Sequence, residues 1–205
     1  VNALRLALEE LHRADVLKRL VAGATTGDAD AFLGAAAQLT WSGGWADALR
    51  ALVPLGTVPD TIRSAFQGAW QNSAVDNLGM KRTLTLDLLG EDHLLADGLA
   101  ILLPAPSGSL PPVHYRAQSL RDYNAGRIGC WWTPDREFAD ALWLATSGAG
   151  EHVGHHVLLA TEVPATAIIQ GTAEDIEACL DPRQLTSIRV IGVCRDDYEP
   201  EQIAA

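Results

Sequence analysis

An α+β fold is predicted, with a helical region over residues 1–103, a linker over 104–112 and a sheet-bearing region over 113–205. Three observations predict it. Apolar residues recur at helical spacing up to about Leu102. Pro104, Pro106, Ser107, Gly108, Ser109, Pro111 and Pro112 then form the clearest cluster of breakers in the chain. Beyond them, short runs rich in β-branched residues are bounded by glycine and proline, which is strand punctuation.

The first helix is expected to start at Asn2, a capping residue, and to end at Gly23. Its Leu4, Leu8, Leu11, Leu17, Leu20 and Val21 are spaced to form one apolar face. Asp28 or Asp30 opens a second, alanine-rich helix through Leu39, and Ser42 precedes a short third one carrying Trp45, Leu49 and Leu52. Pro59 and Asp60 suit the first turn of a fourth helix. Proline has no N–H to lose there, and an aspartate favours the positive helix end. Ile62, Phe66, Ala69, Trp70 and Ala74 line its inner side, and Trp41, Trp45 and Trp70 are read as core. Thr83 to Leu89 fits either strand or helix, and Asp92 to Leu102 reads as a further apolar helix. After the linker, strands are expected at Val113–Ala117, Ile128–Thr133, His155–Glu162, Thr166–Ile169, Ala178–Leu180 and Ile188–Val193, with one helix from about Asp135 to Ala145.

Composition narrows the function. Acidic residues outnumber basic ones by 26 to 15, for a formal charge of −11, so a broad basic face for a phosphate backbone is not expected and nucleic acid is disfavoured as a partner. Cys130, Cys179 and Cys194 are an odd number without paired spacing, which argues against a disulfide framework and a structural zinc site. No apolar run approaches the roughly 18 residues of a membrane span, and no leader pattern opens the sequence, so a cytoplasmic protein without a membrane partner is expected. Glu151, His152, His155 and His156 look like a metal cluster. Adjacent strand histidines point to opposite faces, however, and no second ligand set stands at zinc spacing, so no metal is expected.

The chemistry-bearing residues lie in the second half. Tyr115-Arg116-Ala117 ends an apolar-aromatic run, Trp131-Trp132-Thr133 precedes Asp135-Arg136 and a helix, and Asp175-Ile176-Glu177 runs into Ala178-Cys179-Leu180-Asp181-Pro182. In order and spacing these segments resemble the three-part signature of the ADP-ribosyltransferase fold, over roughly residues 110–193. In that family the parts read Tyr-Arg-Gly, Ser-Trp-Thr followed by Asp-Arg, and Glu-x-Glu. This chain departs at three positions: Ala117 for the glycine, Trp131 for the serine and Asp175 for the first glutamate.

The resemblance implies two small packed β-sheets around a cleft that takes NAD as substrate. It also implies a mono-ADP-ribosyltransferase acting on a protein target, of the kind found among bacterial toxins, effectors and bacteriophage-encoded host modifiers. Breaking the nicotinamide–ribose bond builds positive charge on the sugar, and a nearby carboxylate stabilises that charge more than the ground state. Glu177 is the residue for this role. Thr133 is expected to position Glu177 or to cap the following helix, and Arg116 to grip the dinucleotide through charge-assisted hydrogen bonds. Asp175, one methylene shorter than the family's glutamate, would orient the acceptor. Tyr115 would pack or line the pocket, His114 is read as structural, and Trp131 or Trp132 would stack on nicotinamide, with core packing the use of at least one of the pair. Two rival readings stand beside the transferase: an NAD glycohydrolase with water as acceptor, and a degenerate fold that serves as a binding or inhibitor protein, to which the serine-to-tryptophan departure points.

Overall fold

The computed structural model describes residues 2–72, 80–88, 90–104, 110–147, 156–171 and 176–194. It is an α+β protein with an N-terminal helical region and two small antiparallel three-stranded sheets. Compactness divides it into two units, Val1–Pro106 and Ser107–Ala205. Among the described residues no helix is long and apolar enough to cross a membrane.

The first unit holds α1 (Asn2–Thr26), α2 (Ala29–Ser42), α3 (Trp45–Leu52), α4 (Asp60–Asn72), α5 (Met80–Asp87) and α6 (Asp92–Leu102). The segment open to two readings is thus helical. Asp28 caps α2 by accepting from the Ala31 N–H at 3.0 Å. The cap of α3 comes from far away in sequence: Asp87 accepts from the N–H groups of Gly44 and Trp45 at 2.8 and 3.0 Å. Phe66 stands at the centre of the core, with ring centroids 6.4 Å from both Phe32 and Trp45 and 5.6 Å from Trp70.

The structure corrects three expectations in this unit. Helix α1 includes Asn2 and continues past Gly23 to Thr26. Its packed face is Val16, Leu20 and Ala24, whereas Leu4, Leu8 and Leu11 are 70, 58 and 67% exposed. Of the expected face, Leu20 is buried and Leu17 and Val21 are half-buried, so its C-terminal part packs while the N-terminal leucines do not. Trp41, read as core, is 83% exposed, while Trp45 and Trp70 are buried.

Gly23 does not end its helix; it lets two helices approach. A Cβ built there would lie 2.8 Å from the Phe32 backbone nitrogen and 3.1 Å from the Asp28 carbonyl oxygen, neither of which can swing aside. Gly23→Ala is expected to cost about 1–3 kcal/mol as α1 and α2 are forced apart, to be read from urea unfolding. A loss within about 0.5 kcal/mol, usual for surface substitutions, would contradict this packing.

In the second unit β1 (Val113–Ser119), β3 (His156–Glu162) and β6 (Arg189–Cys194) form one sheet in the order β1-β3-β6. The other sheet, in the order β2-β5-β4, contains β2 (Trp131–Trp132), β4 (Ile168–Gln170) and β5 (Ala178–Leu180). Between them lies a core of Trp132, Val157, Leu159, Ala167, Ala178, Leu180 and Leu185. Helix α8 (Arg136–Ser147) packs against β1. Strand β3 is buried at every position from His156 to Thr161, so both of its faces are covered.

Several boundaries differ from the sequence reading. β1 runs two residues further than expected, and Ser119 then caps a short helix, α7 (Leu120–Asn124), that the sequence reading lacked. The expected strand from Ile128 contracts to Trp131–Trp132 with a bridge at Thr133. A 3₁₀ turn occupies Ala165–Ala167, and β4 follows it. Glu151, His152 and His155 lie outside the described residues, among which no group of three His, Cys, Asp or Glu side chains stands close enough to hold a metal ion.

Candidate functional site

Three segments distant in sequence meet where the two sheets join. Tyr115 and Thr133 pair across an isolated bridge, the Tyr115 N–H donating to the Thr133 carbonyl at 2.7 Å and the Thr133 N–H to the Tyr115 carbonyl at 2.9 Å. Strand β2 in turn pairs with β5, Trp131 opposite Cys179 and Trp132 opposite Ala178. Glu177 directly precedes Ala178, the first residue of β5. Tyr115 and Thr133 thus pair in one row and Trp132 and Ala178 in the row beside it, which brings the segments bearing Arg116, Thr133 and Glu177 onto neighbouring strands.

The pleat sorts these side chains by face. Directly opposed residues share a face and neighbours alternate. Trp132 and Ala178 belong to the core, so Trp131, Thr133 and Cys179 fall on the other side of β2 and β5. Thr133 and Cys179 are buried there, Glu177 is half-buried, and Ile176 before it is 63% exposed. Asp175 lies outside the described residues.

Arg116 is mid-strand rather than at a strand end, and half-buried. It shares its face with His114 and Gln118, opposite Leu159, Thr161 and Val157 of β3. Its Nε donates to Gln118 Oε1 at 2.9 Å and its Nη1 to the Trp131 carbonyl at 2.8 Å. Tyr115 lies on the other face of β1, so it does not share one wall with Arg116, contrary to a reading in which the two line a pocket together.

The tryptophan pair divides. Trp132 is only 1% exposed, sits in the core and donates from Nε1 to the Gly129 carbonyl at 3.0 Å. Its ring is spent on packing, the use expected of at least one of the pair, so of the two candidates for a nicotinamide platform Trp132 is corrected to a core role. Trp131 is half-buried, stands where the family has serine, and offers its carbonyl to Arg116.

Thr133 is not the helix cap. Its Oγ1 accepts from the Asp135 N–H at 3.1 Å, and Asp135 caps α8 by accepting from Glu137 and Phe138 at 2.9 and 3.0 Å. The carboxylate displaces the hydroxyl because it reaches both first-turn N–H groups and carries the charge favoured at a helix start. Thr133 consequently fixes the turn between β2 and α8. After β5, Asp181 accepts from the Arg183 N–H at 3.0 Å, and its own N–H donates to the Ala167 carbonyl at 2.7 Å. These bonds anchor the strand that carries Glu177.

Two residues of the site were missed from sequence, Gln118 and Gly129. Gln118 is 4% exposed, accepts from Arg116, and donates from Nε2 to the Arg127 carbonyl at 2.8 Å. A Cβ on Gly129 would lie 2.1 Å from Arg116 Nη2. The available signal was the i+2 spacing of Gln118 from Arg116, which puts both on one strand face.

His114 is fully buried, and neither ring nitrogen makes a hydrogen bond. Burial pushes its pKa below the ordinary 6.5, with the backbone carbonyls of Pro111 and Val113 opposing the shift. A lowered folded-state pKa means that, as pH falls below 6.5, the unfolded chain takes up the proton before the native state does, so stability declines. The parent's thermal midpoint is expected to fall between about pH 7.5 and 5.5, and His114→Leu to flatten that slope. Parallel slopes for the two proteins would contradict the assignment.

Comparisons of the chain with protein-family models, curated proteins and solved structures find no match.

Proposed function

We propose that the protein is a mono-ADP-ribosyltransferase that cleaves the nicotinamide–ribose bond of NAD and passes ADP-ribose to a protein side chain. The observation that supports this reading is the convergence of three separated segments. The bridge of Tyr115 to Thr133 and the pairing of β2 with β5 bring the segments that carry Arg116, Thr133 and Glu177 onto neighbouring strands, and these are the residue types that the resemblance assigns to this chemistry.

In the proposed reaction nicotinamide departs with the electron pair of the glycosidic bond, leaving positive charge on the ribose carbon and ring oxygen. Glu177, half-buried at the entrance to β5, supplies the carboxylate that stabilises that charge. The acceptor then bonds to the ribose carbon and gives up a proton, a step in which Asp175 is assigned to orient it. Thr133 holds the turn between β2 and α8, and Arg116 binds the dinucleotide through its guanidinium.

A binding or inhibitor protein is the second reading, and a specific observation favours it. Arg116 is bonded within its own fold to Gln118 and Trp131, as a structural arginine would be. Incubation with labelled NAD, with and without a cell lysate, separates these readings. Label on a lysate protein supports transfer, and nicotinamide release without labelled protein supports a glycohydrolase with water as acceptor. A stable partner complex without NAD turnover supports the binding protein.

A further inference from the structure

We propose that Gln118 is a positioning residue for Arg116, and that Gly129 provides the clearance this arrangement requires. The proposal rests on the NAD reading of the site, because it names the group that orients the arginine assigned to grip the dinucleotide.

The geometry is specific to this pair. A glutamine amide has one acceptor oxygen and two donor hydrogens. In Gln118 the oxygen takes the Arg116 Nε–H at 2.9 Å, and the amide nitrogen donates to the Arg127 carbonyl at 2.8 Å. The second bond fixes which end of the amide faces the arginine. With the Arg116 Nη1 bond to the Trp131 carbonyl at 2.8 Å, the guanidinium is held at two corners, which sets its plane as well as its position. Gln118 is 4% exposed, so water does not readily substitute for either partner. Gly129 completes the arrangement from the other side: any side chain there would occupy the place of the guanidinium, its Cβ 2.4 Å from Arg116 Cζ. An arginine fixed in plane presents its donors to an anionic ligand without first losing rotamer freedom, so loss of the fixing group falls on binding.

The test is steady-state nicotinamide release by the full chain, for Gln118→Met, Arg116→Lys and the double variant, with thermal midpoints measured alongside. Gln118→Met is expected to raise the KM for NAD about tenfold, the effect of losing one charge-assisted hydrogen bond, with kcat within about threefold. In the Arg116→Lys background the same substitution is expected to change KM little, since a group that acts through Arg116 has nothing left to act on. Gly129→Ala displaces the guanidinium while leaving the Gln118 side chain in the sequence, whose Oε1 also accepts from the Gly129 N–H at 3.5 Å, and it is expected to raise KM even if Gln118→Met fails to fold. An unchanged KM in folded Gln118→Met and Gly129→Ala, or equal effects of Gln118→Met in both backgrounds, overturns the positioning role while leaving the NAD reading in place. A folded parent that releases no nicotinamide removes the NAD reading, and this proposal with it.

Discussion

Trp132→Ala is expected to destabilise the second unit by about 3–5 kcal/mol, the usual range for removing a fully buried aromatic. Trp132 is 1% exposed and packs with Val157 and Leu159 of one sheet and Ala178 and Leu180 of the other, so its truncation opens a cavity where the two sheets meet. It also leaves the Gly129 carbonyl without the indole donor now at 3.0 Å. Guanidinium unfolding with native-state hydrogen exchange on the β1–β3 amides would show whether the loss falls on this unit. A change of less than about 1 kcal/mol would mean that the sheets are held together elsewhere.

Glu177→Gln is expected to lower kcat for nicotinamide release by about 10²–10³-fold, with KM and the thermal midpoint nearly unchanged. The substitution keeps the shape of the side chain and removes only the charge. Glu177 is half-buried and lies outside the core cluster, so no large packing loss accompanies it. A fall in stability matching the fall in rate would reassign Glu177 to holding the β5 entrance rather than to the chemistry.

The helical unit shows which signals reached the sequence. Asp28 capping α2 was readable because the bond is local, three residues from donor to acceptor. The cap of α3 by Asp87 was not readable, since it joins residues more than forty positions apart and depends on where α5 packs. Periodicity located helix α1 and part of its inner side. Leu20 of the expected face packs together with Val16 and Ala24, beside the close approach that Gly23 allows to α2, whereas the leucines at positions 4, 8 and 11 stay exposed.

In the second unit the segments bearing Arg116, Thr133 and Glu177 were legible through their residue types and order. The pairings that join β1 to Thr133 and β2 to β5 were not, as they form between short strands whose individual patterns are weak. Gln118 was overlooked because β1 was ended at Ala117. Its role follows only when the strand continues to Ser119 and carries the glutamine onto the face of Arg116. Which of the two adjacent tryptophans packs was not readable, because they look alike in sequence, whereas the pleat sends Trp132 into the core.

The central claim is that the junction of the two sheets binds NAD and breaks its nicotinamide bond, and the most direct measurement is chromatographic detection of nicotinamide released by the purified chain. The account predicts release that saturates with NAD and is nearly abolished by Glu177→Gln in a folded protein. No release from a folded parent, with or without lysate, or equal release by parent and Glu177→Gln, would contradict it.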